Sequence, residues 1–157
     1  MLMYNYEYRI DKDSPIAQIY FRDLDRTYHY NRKEYGGKCD TDFNLVKEAL
    51  RSLVNAMINQ RQLINTPEYI VGNPCVCPLD WQSELRLRLS NWFLVHALKS
   101  FEDISKDYKF RTELPLSVKV IGDLFDATQE LDLQLVFELV NTFKIPFKIK
   151  AMEMELG

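Results

Sequence analysis

The chain has 157 residues, of which 46% are hydrophobic and 27% charged, the balance of a folding chain rather than a disordered one. A formal charge of −3 and a pI near 5.4 give no general electrostatic case for binding nucleic acid or an anionic membrane. The length suits one hydrophobic core, so a single domain over residues 1–157 is expected.

Leu2, Tyr4, Tyr6, Tyr8 and Ile10 alternate with Glu7 and Arg9, and this period of two predicts a half-buried strand. A turn signal at Asp11-Lys12-Asp13-Ser14-Pro15 follows. Ala17, Ile19 and Phe21 then alternate with Gln18, Tyr20 and Arg22, and Thr27 to Tyr35 reads as a third strand, closed by Gly36-Gly37. Asp40 or Thr41 can cap a helix whose stripe is Phe43, Val46, Leu50, Leu53, Met57 and Ile64, with Lys47, Arg51 and Asn55 on the other side.

Residues 65–78 hold three prolines and Gly72 and read as a surface connection carrying Cys75 and Cys77. From Asp80 a helix is expected to about Ser105, with one stripe at Trp81, Leu85, Leu89 and Trp92 and another at Leu87, Leu94, Leu98 and Phe101. Leu116 to Ala127 carries both periods and is assigned as helix. Leu133 to Phe143 is helical through Val136, Leu139, Val140 and Phe143, with Pro146 ending it. Phe147, Ile149 and Ala151 alternate with Lys148 and Lys150 as a last strand. The expected fold is therefore α+β: a mostly antiparallel four-stranded sheet, three N-terminal strands plus a C-terminal one, packed by about four helices.

The opening residues lack the basic and apolar blocks of a secretory signal, and no apolar run reaches the ~20 residues that span a bilayer. With three cysteines, an odd number, reduced thiols in a cytoplasmic setting are expected.

His29, Cys39, Cys75 and Cys77 supply the donor types of a Cys3His zinc centre, but Cys75-Val76-Cys77 leaves one residue where paired zinc cysteines are spaced by two to four. Neither this set nor the carboxylate pairs Asp23/Asp25 and Asp40/Asp42 carries a metal motif. His29 and His96 are the only histidines, no serine lies in a nucleophile elbow, and the glycines at 36, 37, 72, 122 and 157 form no phosphate loop. No cofactor is expected. A nucleic-acid reading would use Tyr4, Tyr6 and Tyr8, with Tyr28 and Tyr30, as a stacking platform beside Lys148 and Lys150. The alternation favours packing of those rings instead.

Charge splits by region. Residues 1–39 hold seven basic and six acidic side chains, 40–112 nine of each, and 113–157 four and eight. The segment that flanks Thr128-Gln129-Glu130 could pass for a helix-turn-helix, yet its second helix carries Asp132 and Glu138 and no cation before Lys144, so it would repel phosphate. The resulting expectation is a non-catalytic binding protein of inhibitor, immunity or accessory type. It would dock Asp123, Asp126, Glu130, Asp132 and Glu138 on a protein partner with a basic surface. The alternatives are a tyrosine-sheet nucleic-acid module and a metal-dependent enzyme.

Overall fold

The computed structural model describes residues 2–11, 13–32, 43–67 and 75–146. Among them the fold is α+β, with a four-stranded antiparallel sheet and five helices. The chain divides into two compact units. Residues 1–54 and 64–80 form the first, residues 55–63 and 81–157 the second.

In the first unit, strands β1 (Met3–Ile10), β2 (Ile16–Phe21) and β3 (Arg26–Asn31) form the expected meander. Ala17, Ile19 and Phe21 of β2 are completely buried, the consequence of two residues per pleat. On β1 the same face opens along its length: Leu2 and Tyr4 are fully buried, Tyr6 and Tyr8 half-buried, and Ile10 is exposed. The first helix, α1 (Phe43–Asn59), buries Val46, Leu50 and Met57 of the predicted stripe. Phe43, the first residue of the stripe, is 40% exposed.

The fourth strand is β4 (Val76–Pro78), pairing antiparallel with Met3, Tyr4 and Asn5, so the sheet order is β3-β2-β1-β4. This corrects the reading of 65–78 as connection alone. Three residues ending in proline give no detectable alternation, and proline suits an edge strand, where its missing N–H costs no ladder bond. The expected C-terminal strand at Phe147, Ile149 and Ala151 lies outside the described residues, as do Gly36-Gly37 and the Asp40 or Thr41 cap.

Asn5 is the point where β1 changes partners, pairing with β4 through Met3–Asn5 and with β2 through Tyr6–Ile10. The Asn5 N–H donates to the Asp23 carboxylate at 2.8 Å and its side-chain amide donates to the same oxygen at 3.0 Å. Asp25, in the left-handed region at φ 50°, accepts the Tyr20 hydroxyl at 2.9 Å. Asp23 thus ties the β2–β3 turn to β1, and Asp25 bonds within the β2–β3 hairpin. Asp can enter this backbone region because its short polar side chain bonds locally.

The second unit contains α2 (Trp81–Val95), α3 (Phe101–Thr112), α4 (Val118–Leu124) and α5 (Leu133–Phe143). The single helix expected from Asp80 to Ser105 is two helices. Ala97 turns left-handed at φ 64°, the Leu98 N–H reaches the Phe93 carbonyl at 2.9 Å and the Ala97 N–H reaches Leu94 at 3.2 Å. This is a Schellman stop with alanine where glycine is usual. Ser100 then starts α3 with a capping box: its hydroxyl accepts the Asp103 N–H at 3.1 Å, and the Asp103 carboxylate accepts the Ser100 N–H at 3.2 Å. The ambiguous 116–127 segment resolves as helix, capped by Ser117, and α5 spans the predicted residues with Asp132 as its N-cap.

An alanine in the left-handed region costs about 1–2 kcal/mol, while glycine gives back about 0.5–1 kcal/mol of chain entropy. Urea denaturation should therefore find Ala97→Gly more stable than the wild type by about 0.5–1 kcal/mol and Ser100→Ala less stable by about 1 kcal/mol. Two equal losses would contradict the stop-and-start geometry.

Candidate functional site

The acidic segment between α4 and α5 is held from several sides within the second unit. Arg86 of α2 is only 3% exposed, and its guanidinium donates to the Leu124 carbonyl at 2.8 Å and to the Gln129 carbonyl at 2.7 Å. The Ala127 N–H donates to the Asn55 side chain at 3.0 Å. Asp126 folds the loop on itself, accepting the Thr128 N–H at 2.9 Å and the Thr128 hydroxyl at 2.8 Å. These bonds, made by the charged carboxylate, hold the Asp126 pKa below the usual range. A carboxylate depressed in this way stabilises the fold above its ordinary pKa, and that contribution disappears as pH falls through the lowered value. Asp132 caps α5 by accepting the Leu135 N–H at 3.1 Å.

The five predicted carboxylates therefore fall into two groups. Asp126 and Asp132 hold backbone. The side chains of Asp123, Glu130 and Glu138 are exposed and make no hydrogen bond or ion pair with any described residue.

The tyrosine platform is rearranged by the fold. Tyr4 is fully buried and donates its hydroxyl to the Asn65 carbonyl at 2.7 Å, so it presents no face to a base. Tyr6 and Tyr8 meet edge to face, with centroids 5.9 Å apart, and Lys148 and Lys150 lie outside the described residues. The zinc set is separated. His29 sits on β3 and Cys77 on β4, the two outer strands of the sheet. Three interstrand steps of ~4.8 Å separate those edges, too far for ligands that must each approach one zinc to ~2.0–2.3 Å. Cys39 lies outside the described residues. Among the described residues, no cluster of three His, Cys, Asp or Glu side chains could hold a metal ion, and no helix is long and apolar enough to cross a membrane.

Two arginines that sequence reasoning missed organise this unit: Arg86 and Arg61. The Arg61 guanidinium donates to the Lys99 carbonyl at 3.1 Å, the Leu98 carbonyl at 3.3 Å and the Ser90 hydroxyl at 2.7 Å. It also lies 5.0 Å from the Phe101 ring and 5.8 Å from Phe125, two rings stacked 5.4 Å apart. Burial pushes the pKa of Arg61 down. The one signal in the sequence is negative: Arg86 stands between Leu85 and Leu87 in the α2 pattern.

Replacing Arg61 by methionine keeps the stem and removes every donor. Arg61→Met should lower unfolding free energy by about 2–3 kcal/mol in urea titrations, since the carbonyls of Leu98 and Lys99 lose charged donors. A loss below about 0.5 kcal/mol would show those carbonyls solvated. Cys75 is exposed, whereas burial pushes the Cys77 thiol up to about 12. In a Cys39→Ser background a maleimide should label Cys75 in the folded protein and Cys77 only on unfolding. Equal native labelling would place Cys77 at the surface.

No protein-family model matches this chain, and no curated protein matches it.

Proposed function

We propose that the protein is a non-catalytic binding protein whose acidic α4–α5 edge docks on a protein partner with a basic surface. The observation that carries this reading is the division of labour among the carboxylates. Asp123, Glu130 and Glu138 are exposed without a side-chain partner among the described residues, while the loop between α4 and α5 is tied by Arg86, Asn55 and Asp126. A loop already ordered pays less entropy when a partner arrives. Charge of one sign along such an edge speeds encounter and selects the partner, with an effect that salt weakens.

Because Asp126 and Asp132 support the fold, the informative variant leaves them alone. In Asp123→Asn/Glu130→Gln/Glu138→Gln, proteins retained by the wild type from its host's lysate at low salt should be lost. The association rate of the retained protein should fall by about tenfold or more, and the wild-type rate should itself decline with salt. Identical retention and a salt-independent rate would reduce this edge to solvated surface.

A further inference from the structure

Phe110 is 87% exposed and Leu114 59% exposed, the first near the end of α3 and the second just past it. Helix α3 turns Ile104 and Tyr108 inward, and at about 100° per residue Phe110 lies roughly 200° around the helix from Tyr108, on the outer face. Lys106 precedes the ring by one turn of the helix, and Glu113, the left-handed C-cap just past the end of α3, stands three residues beyond it; both are exposed. Of the other acids of α3, Asp103 serves the capping box and Asp107 pairs with Arg111 at 3.0 Å, while Glu102 is exposed in the first turn. Neither Lys106, Lys109 nor Glu113 makes a side-chain bond to a described residue.

An aromatic ring flanked by a cation on one side and an anion on the other is complementary to itself when turned through a two-fold axis. We propose that this face of α3 is an interface for a second copy of the chain. Two α3 helices packed antiparallel, with the axis beside Phe110, bring Lys106 of one copy to Glu113 of the other, and the pairing occurs twice. Each Phe110 then lies against Lys109 of the other copy, whose stem covers the ring and whose ammonium can sit over its face. Isologous contacts of this kind use one patch on both subunits, and aromatic residues near the centre of an interface carry most of its energy. The surface is distinct from the acidic α4–α5 edge, so it stands or falls independently of the partner assigned to that edge.

The test is sedimentation equilibrium of the full chain over a concentration series, up to millimolar. The wild type should show a reversible monomer–dimer equilibrium. Phe110→Ser should weaken it by roughly tenfold or more, equivalent to at least about 1.4 kcal/mol. Lys106→Glu alone and Glu113→Lys alone each set like charges face to face and should weaken dimerisation, whereas the two combined should restore it. A wild type monomeric throughout would overturn the proposal, as would failure of the double exchange to recover what the single changes lose. Thermal unfolding of Phe110→Ser guards against a covered ring. A large fall in midpoint with association unchanged would mean that Phe110 is packed within its own chain, and this also overturns the proposal. So would a monomeric wild type that pellets with anionic phospholipid vesicles and loses that binding on Phe110→Ser, because the face would then belong to lipid.

Discussion

The Arg61 guanidinium closes the junction between α2 and α3 with three hydrogen bonds, and the helical unit is arranged around it. Helix ends leave carbonyls without partners, and such groups are costly wherever water cannot reach them. The carbonyls of Leu98 and Lys99 follow the end of α2, and Arg61 supplies donors to both and to the Ser90 hydroxyl. A planar fork of five N–H groups can reach several acceptors at once while stacking on apolar rings, a combination that an ammonium cannot reproduce. The arginine's own backbone is part of the device. Arg61 sits at φ 55° and closes α1, with the Gln62 N–H on the Met57 carbonyl at 3.0 Å. One residue thus stops its own helix and satisfies the chain beyond another. Arg86 repeats the principle at the end of α4, where it donates to Leu124.

In the sheet unit the corresponding device is a carboxylate. At Asn5 the strand leaves one neighbour for the other, and the N–H that would be orphaned there is taken by Asp23. A hydrogen bond to a charged acceptor is worth about 1.5–3 kcal/mol, more than the typical backbone bond it replaces. The carboxylate pair that resembled a cation site in the linear sequence is accounted for by this bond and by that from Tyr20 to Asp25.

These devices explain which parts of the fold were legible. Ala17, Ile19 and Phe21, the stripe of α1 and the full span of α5 could be read because burial imposes a period on sequence. Helix ends could not. Arg61, Ala97, Glu113 and Lys144 all adopt left-handed backbone after a helix, and none is glycine. Apolar periodicity alone carries the α1 stripe on to Ile64 and joins α2 to α3, although Ser100 and Asp103 stand at capping-box spacing in the sequence. Strand β4 escaped for a different reason: its identity comes from pairing with Met3–Asn5, a long-range fact that three residues cannot encode by pattern. The acidic edge was legible as composition. Its internal division was not, because Asp126 and Asp132 differ from Glu130 only in the backbone N–H groups that fold toward them.

That division bears on how the edge would work under the proposed function. A carboxylate that holds backbone is still a charge, and at Asp126 the bonds from Thr128 keep it charged to lower pH than a free one. Asp126 and Asp132 would both add to the field felt by an approaching cation while remaining fixed by the bonds they accept. Asp123, Glu130 and Glu138 can also reorient, since nothing among the described residues restrains their side chains. Screening over ~8 Å at physiological salt means that only neighbouring charges act together on a partner already close. Under the proposed function the edge would combine a rigid component, set by the same bonds that shape the loop, with an adaptable one able to form contacts after encounter. Steering would draw on both, whereas lasting contact would draw on the three carboxylates that the fold does not use.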